Sequence, residues 1–166
     1  MKQKVLVARA TFPDVIERLQ QHFDVESNQE DKIFSAAELH EKMQGKDAIV
    51  ITSSEKLSAD VIAANAHLKA ICNVAVGYNN IDVTAATSAG IMVTNTPDVL
   101  NETTADYAWT LLMANARRVS ESEHYLRAGK WKNWRFDQFL GADVHGATLG
   151  ILGMGRIGQA IARRSM

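Results

Sequence analysis

Near one end of the chain, Gly153, Gly155 and Gly158 stand in the spacing G-x-G-x-x-G, within LGILGMGRIGQAIARRSM. The apolar ATLGIL before them is strand-like, and RIGQAIARR after them is helical. In that context each glycine has its own job. Gly153 lets a strand turn tightly into a helix. Gly155 lets the backbone come close to a pyrophosphate, where a side chain would collide. Gly158 lets helix and strand pack closely. The free N–H groups and positive dipole end of the helix then favour phosphate charge. Three glycines can also be mere turn punctuation, but the strand–turn–helix context favours the dinucleotide reading.

That reading carries an expectation. About 20 residues past the glycines an acidic residue should hold the ribose hydroxyl, or a basic one a 2′-phosphate. Met166 comes first. The segment TLGIL, apolar on both faces, also needs parallel neighbours that no later strand supplies. The sequence therefore reads as the amino-terminal part of a longer protein, whether shortened in preparation, by proteolysis or in its reading frame.

Other reactive side chains form no constellation. His22 and His40 fall on helical patterns, His124 on a long helix and His145 in an irregular arm; these and His67 read as surface or interface residues. No cluster has metal-ligand spacing. Ser53 and Ser54 have no histidine and acid in a nucleophile arrangement. Cys72, the single cysteine, lies in the apolar LKAICNVAV and reads as a buried thiol. Without a possible internal disulfide the chain suits a reducing, cytoplasmic setting.

The elements that must position these residues alternate. Val5 to Ala8 reads as a strand, and FPDVIERLQQHF as a helix with Val15, Leu19 and Phe23 on one face. Val25 marks a very short strand. Ser35 caps SAAELHEKM, with Glu38 completing a capping box. DAIVITSS is a strand, SADVIAANA a helix capped by Ser58, LKAICNVAV a strand, DVTAATSAG a helix closed by Gly90, and IMVTNTP a strand. The strands are apolar throughout, as in a parallel sheet covered by helices on both faces. The fold class is α/β, with a doubly wound sheet over residues 1–100. In such sheets ligands bind at the carboxyl ends of strands, which directs attention to TSSEK and VGYNNID.

Residues 101–131 read as one long helix capped by Asn101, apolar nearly all round between Ala105 and Ala116. Such a helix must be buried on nearly every side, between domains or between subunits. The aromatic arm that follows reads as a segment lying on a partner. The 166 residues are 46% hydrophobic and 22% charged with a net charge of −1, so no basic excess attracts nucleic acid or an acidic membrane surface. No apolar run is long enough to span a bilayer.

Taken together, VAVGYNNID, GIMVTNTPDVLNETTADYAWTLLMANARR, GKW and GATLGILGMGRIGQAIARR resemble the D-isomer-specific 2-hydroxyacid dehydrogenases. They look most like the glyoxylate/hydroxypyruvate and 2-ketogluconate reductases of that family. The resemblance implies a flavodoxin-like substrate domain over 1–100 and the start of a Rossmann domain over 101–166, with a crossing helix and arm that form a homodimer. It implies reduction of a small 2-keto acid to a D-2-hydroxy acid with NADP or NAD, NADP being favoured. Val76 and Gly77 match residues whose N–H groups hold the substrate carboxylate. Ser53 and Ser54 match a substrate-facing loop, against the alternative of a turn with an N-cap. Thr104 matches a position near the nicotinamide, against a threonine capping its own helix. Arg156 and Ile157 match residues whose backbone follows the pyrophosphate, although the Arg156 side chain also suits a solvated helix start. The family's catalytic arginine, glutamate and histidine are expected beyond Met166, so the alternative for this chain is a non-catalytic substrate-domain and dimerisation module. Asn79 replaces an aspartate common in the family.

Overall fold

The computed structural model describes all 166 residues, which form two compact units, Met1–Pro97 and Asp98–Met166. The first contains strands β1 (Lys4–Val7), β2 (Asp24–Ser27), β3 (Ala48–Ile51), β4 (Ala70–Asn73) and β5 (Met92–Thr94). Helices α1 (Pro13–His22), α2 (Ala36–Met43), α3 (Ala59–Ala64) and α4 (Val83–Ser88) connect them. The strands form one parallel sheet in the order β2-β1-β3-β4-β5. The chain is thus α/β with a parallel sheet, and its strand order reverses between β1 and β3.

Register explains the core. Leu6 aligns with Ile49, Ile49 with Ile71 and Ile71 with Val93, a row of apolar side chains on one face. Leu39 and Met43 of α2, Ile62 of α3 and Ala86 of α4 complete the same buried cluster. The other face is different. Only α1 lies there, and none of its residues is fully buried. A cavity of about 310 Å³ remains beside it, lined by Phe12, Val15, Leu19, Val50 and Val74 among others. Within this unit helices lie against both faces, but unevenly: three cover one face and one partly covers the other. Cys72 lies on the less covered face and is half-buried rather than buried.

Local signals explain the helix ends. Pro13 occupies the first turn of α1, where its missing N–H costs nothing. Ser35 and Glu38 form the complete capping box of α2. The Asp82 carboxylate accepts from the Ala85 N–H to start α4, and Gly90 follows its end at φ +73°. Ser58 precedes α3 but makes no side-chain cap.

The second unit holds α5 (Asn101–Ala116), α6 (Val119–Arg127) and α7 (Arg156–Arg163). The single long helix expected from residue 101 is two helices. Arg118 stands between them in the left-handed region at φ 54°, held by paired hydrogen bonds to Glu121 and by one to the Leu140 carbonyl. Asn101 is not the cap: Leu100 holds that position without a side-chain bond, while the Asn101 amide donates to Asp98. Helices α5 and α7 pack through Ala105 and Ala160, both fully buried. The Trp109 indole donates to the Ile161 carbonyl at 3.0 Å, and Arg164 pairs with Glu102 and Asp106. Within this unit the remaining sides of α5 are open, with Tyr107 and Leu111 exposed.

The arm contains no strand. TLGIL runs without a ladder, since no neighbouring strand offers it hydrogen bonds. Its apolar pattern matched a strand, but a strand exists only when paired.

Candidate functional site

In the first unit the carboxyl ends of β3, β4 and β5 bring three short segments together. After β3, the Glu55 carboxylate folds back so that Oε2 accepts from the Thr52 N–H at 2.8 Å and the Thr52 hydroxyl at 3.0 Å. Glu55 is only 5% exposed, and its Oε1 has no hydrogen-bond donor. Arg9, after β1, brings Nη1 to 3.6 Å, close enough for charge attraction but too far for a hydrogen bond. The Arg9 guanidinium is committed to Asp31 through two bonds of 2.8 and 2.9 Å. Those bonds, with the Ala10 N–H, hold the Asp31 carboxyl down to about 2. Ser53 and Ser54 sit exposed at the tip of this loop, where the Ser54 N–H donates to the Thr52 hydroxyl.

The turn after β4 is held by its carbonyls. Ala75 C=O accepts from the Thr96 N–H at 2.9 Å, Val76 C=O from the Asn95 amide at 2.8 Å, and Gly77 C=O from the Asn73 amide at 2.8 Å. The N–H groups of Val76 and Gly77 donate to no acceptor in the chain. Asn80 donates to the Thr52 and Glu55 carbonyls at 3.0 and 2.9 Å, tying this turn to the preceding loop. A Cβ at Gly77 would meet no atom within 4 Å, so the space before it is open. Asn79 is exposed and its side chain makes no hydrogen bond. Two unpartnered N–H groups over open space suit a small anion.

In the second unit the three spaced glycines differ from one another. Gly153 lies at φ +99°, a conformation that side chains resist. A Cβ at Gly158 would stand 2.1 Å from the Gly153 carbonyl oxygen, so helix and loop touch there. A Cβ at Gly155 would meet nothing within 4 Å. Gly155 is the N-cap of α7, with no capping side chain. The first-turn N–H groups, including those of Arg156 and Ile157, are therefore left for an outside acceptor. The Arg156 side chain is not simply solvated: its Nε lies 3.0 Å from Asp98. Thr104 is half-buried within α5 with no side-chain hydrogen bond, and it is Thr103 whose hydroxyl bonds back to Leu100.

The histidines serve elsewhere. His40 pairs with Asn65, His67 with the Met43 carbonyl and His124 with the Ser120 carbonyl. Sequence reasoning passed over Arg9, Glu55, Asn73, Asn80, Asn95 and Asp98. Asn80 and Asn95 lie inside VGYNNID and IMVTNTP, where nothing in the sequence gives them a role. The carbonyls that Asn80 and Asn95 hold lie 19 to 28 residues away, so no local pattern marks these two.

Comparison with known proteins agrees with this layout. A family model for the D-isomer specific 2-hydroxyacid dehydrogenase catalytic domain matches residues 5–160. Glyoxylate reductase of Thermococcus kodakarensis is 48% identical over 99% of this chain and 51% of its own length. The chain thus spans about half the length of the curated relatives it matches. Among solved structures, a D-isomer specific 2-hydroxyacid dehydrogenase from Polaromonas superposes with a TM-score of 0.91 at 38% identity, over 99% of this chain and 52% of the other. An NADPH-dependent glyoxylate/hydroxypyruvate reductase from Sinorhizobium meliloti, solved with NADP and malonate, gives 0.78 at 34%, over 99% and 50%. With the family match extending across both units, the chain belongs to the D-isomer specific 2-hydroxyacid dehydrogenases.

Proposed function

We propose that the chain supplies the substrate-carboxylate turn and the pyrophosphate cradle of an NAD(P)H-dependent reductase that converts small 2-keto acids to D-2-hydroxy acids. Glyoxylate and hydroxypyruvate are the substrates suggested by the relatives, and 2-ketogluconate belongs to the same class. The observation that carries this reading is the open turn at Val76 and Gly77, whose N–H groups have no acceptor in the chain. A keto acid's carboxylate fits it. Ser53 and Ser54, on the adjoining loop, would contact the rest of a small substrate.

Residues 1–100 act as a flavodoxin-like substrate domain, a reading supported by the strand order 2-1-3-4-5. Residues 101–166 contribute the start of a Rossmann domain. Its Gly153, Gly155 and Gly158 shape the cradle, and the Arg156 and Ile157 N–H groups hold the pyrophosphate. The open space at Gly155 and the uncapped start of α7 fit such a group. When bound, the nicotinamide supplies the hydride. Thr104 would lie near that ring, a role supported by the family pattern. NADP is favoured over NAD by the cofactor of the Sinorhizobium relative. The exposed apolar surface of α5 and the arm supports a homodimer through residues 101–150. No helix is long and apolar enough to cross a membrane, and we place the protein in the cytoplasm.

The test is a titration of the isotopically labelled chain with oxamate, an unreactive keto-acid isostere, and with NADPH, followed by amide signals. Oxamate should shift Val76 and Gly77 saturably, and NADPH should shift Gly155 to Gly158. Unmoved signals at both places would favour the dimerisation-module reading instead. His40 and His67 of the first unit are committed to Asn65 and the Met43 carbonyl rather than to this turn, so 166 residues alone should not oxidise NADPH with glyoxylate; measurable turnover would overturn this assignment.

A further inference from the structure

We infer that Asn95 is a positioning residue that turns the Gly77 N–H to the same side as the Val76 N–H, making two single donors into one carboxylate clamp. This rests on the reading of that turn as the carboxylate site. In a planar trans peptide the C=O of one residue and the N–H of the next point in opposite directions. Fixing a carbonyl therefore fixes the following N–H. The Ala75 carbonyl, which governs the Val76 N–H, is held at 2.9 Å by the Thr96 backbone. The Val76 carbonyl, which governs the Gly77 N–H, is held at 2.8 Å by the Asn95 side chain. Both carbonyls thus face one two-residue segment just past β5, and both N–H groups face away from it.

The extended chain alternates its carbonyl directions, so two successive carbonyls aimed at one segment need a specific restraint. A backbone N–H can supply only one of the two bonds. The second comes from a side chain long enough to reach and able to donate, and carboxamide nitrogen meets both needs. Asn73, 2% exposed, secures the next peptide through the Gly77 carbonyl at 2.8 Å, so the clamp cannot relax by rotating its downstream end. Asn95 itself need not touch the substrate.

The experiment compares the 166-residue chain with Asn95→Ala, Asn95→Asp and, as a control, Asn65→Ala, using oxamate binding read from amide signals. Asn65 is fully buried and bonds to His40, Gln44 and the Val61 carbonyl, none of which bonds to the clamp, so its loss tests mere destabilisation. Asn95→Ala should weaken oxamate about tenfold, the scale of one lost hydrogen bond. Asn95→Asp should abolish binding, because a carboxylate repels the Val76 carbonyl and attracts the flipped Gly77 N–H. Asn65→Ala should bind as the unmodified chain does. Equal oxamate affinity in folded Asn95→Ala would overturn the positioning role while leaving the carboxylate site intact. Absence of any Val76 and Gly77 shift in the unmodified chain would instead overturn the site itself. Should the Asn95 variants not fold, hydrogen exchange in the unmodified chain decides. Free Gly77 N–H should exchange rapidly and slow with oxamate, and slow exchange without oxamate would overturn the inference.

Discussion

At the scale of single residues, three glycines in one motif answer to three different constraints, and substitution separates them. Gly158→Ala would drive a methyl to 2.1 Å from the Gly153 carbonyl oxygen, so α7 must shift. Overpacking of this kind costs about 1–3 kcal/mol, which denaturant unfolding would measure. Gly153→Ala adds backbone strain of about 1–3 kcal/mol at φ +99°. Gly155→Ala meets open space and should change stability by less than about 0.5 kcal/mol. Its effect should fall on NADPH affinity instead, read by titration. A Gly155→Ala chain that binds NADPH unchanged would remove the cradle role from this residue.

At the scale of elements, the start of α2 shows how a local motif becomes pH-sensitive. Ser35 and Glu38 cap the helix reciprocally, and Ser35→Ala should cost about 1 kcal/mol in thermal unfolding. Lys32 and the Ser35 backbone and side chain hold the Glu38 carboxyl down to about 2, from the usual 4.5. Asp31, under Arg9, falls to about 2 from 3.8. Both groups release their protons more readily when folded. Their contribution is therefore complete above about 4.5 and is lost as pH falls toward about 2. Melting temperature should drop across that window, and Glu38→Gln should lower it at neutral pH while making the acid dependence shallower. An equally steep acid dependence in Glu38→Gln would separate the capping box from acid unfolding. The break between α5 and α6 belongs to this scale too. Helical pattern runs through Arg117 and Arg118, but the bonds from Arg118 to Glu121 and Leu140 favour a left-handed residue there.

At the scale of the whole molecule, apolar surface is unevenly disposed. In the first unit one sheet face is closed by three helices while the other retains the cavity beside α1. In the second, Trp134 and Phe136 are 67% and 85% exposed, and Trp131 and Leu111 are also open. Patches of this kind mark association surfaces. The chain should therefore self-associate with rising concentration, measured by sedimentation, and Trp134→Lys or Leu111→Lys should shift it toward monomer. Unchanged association in both variants would show that this patch does not carry it.

What the sequence alone determined is local. Apolar runs, a capping box, a proline at a helix start and the glycine spacing announced the parallel α/β order and the fingerprint, because each depends on neighbours within a few residues. The matched motifs identified the family because they extend through most of the chain in one order. Tertiary structure alone decided the rest. It left TLGIL unpaired, since a strand exists only beside another, and Cys72 half-buried, since burial depends on what covers a face. It also assigned Asn73, Asn80 and Asn95 to the Val76–Gly77 turn. A carboxamide has the same chemistry in any loop, and only the fold chooses the carbonyl it holds.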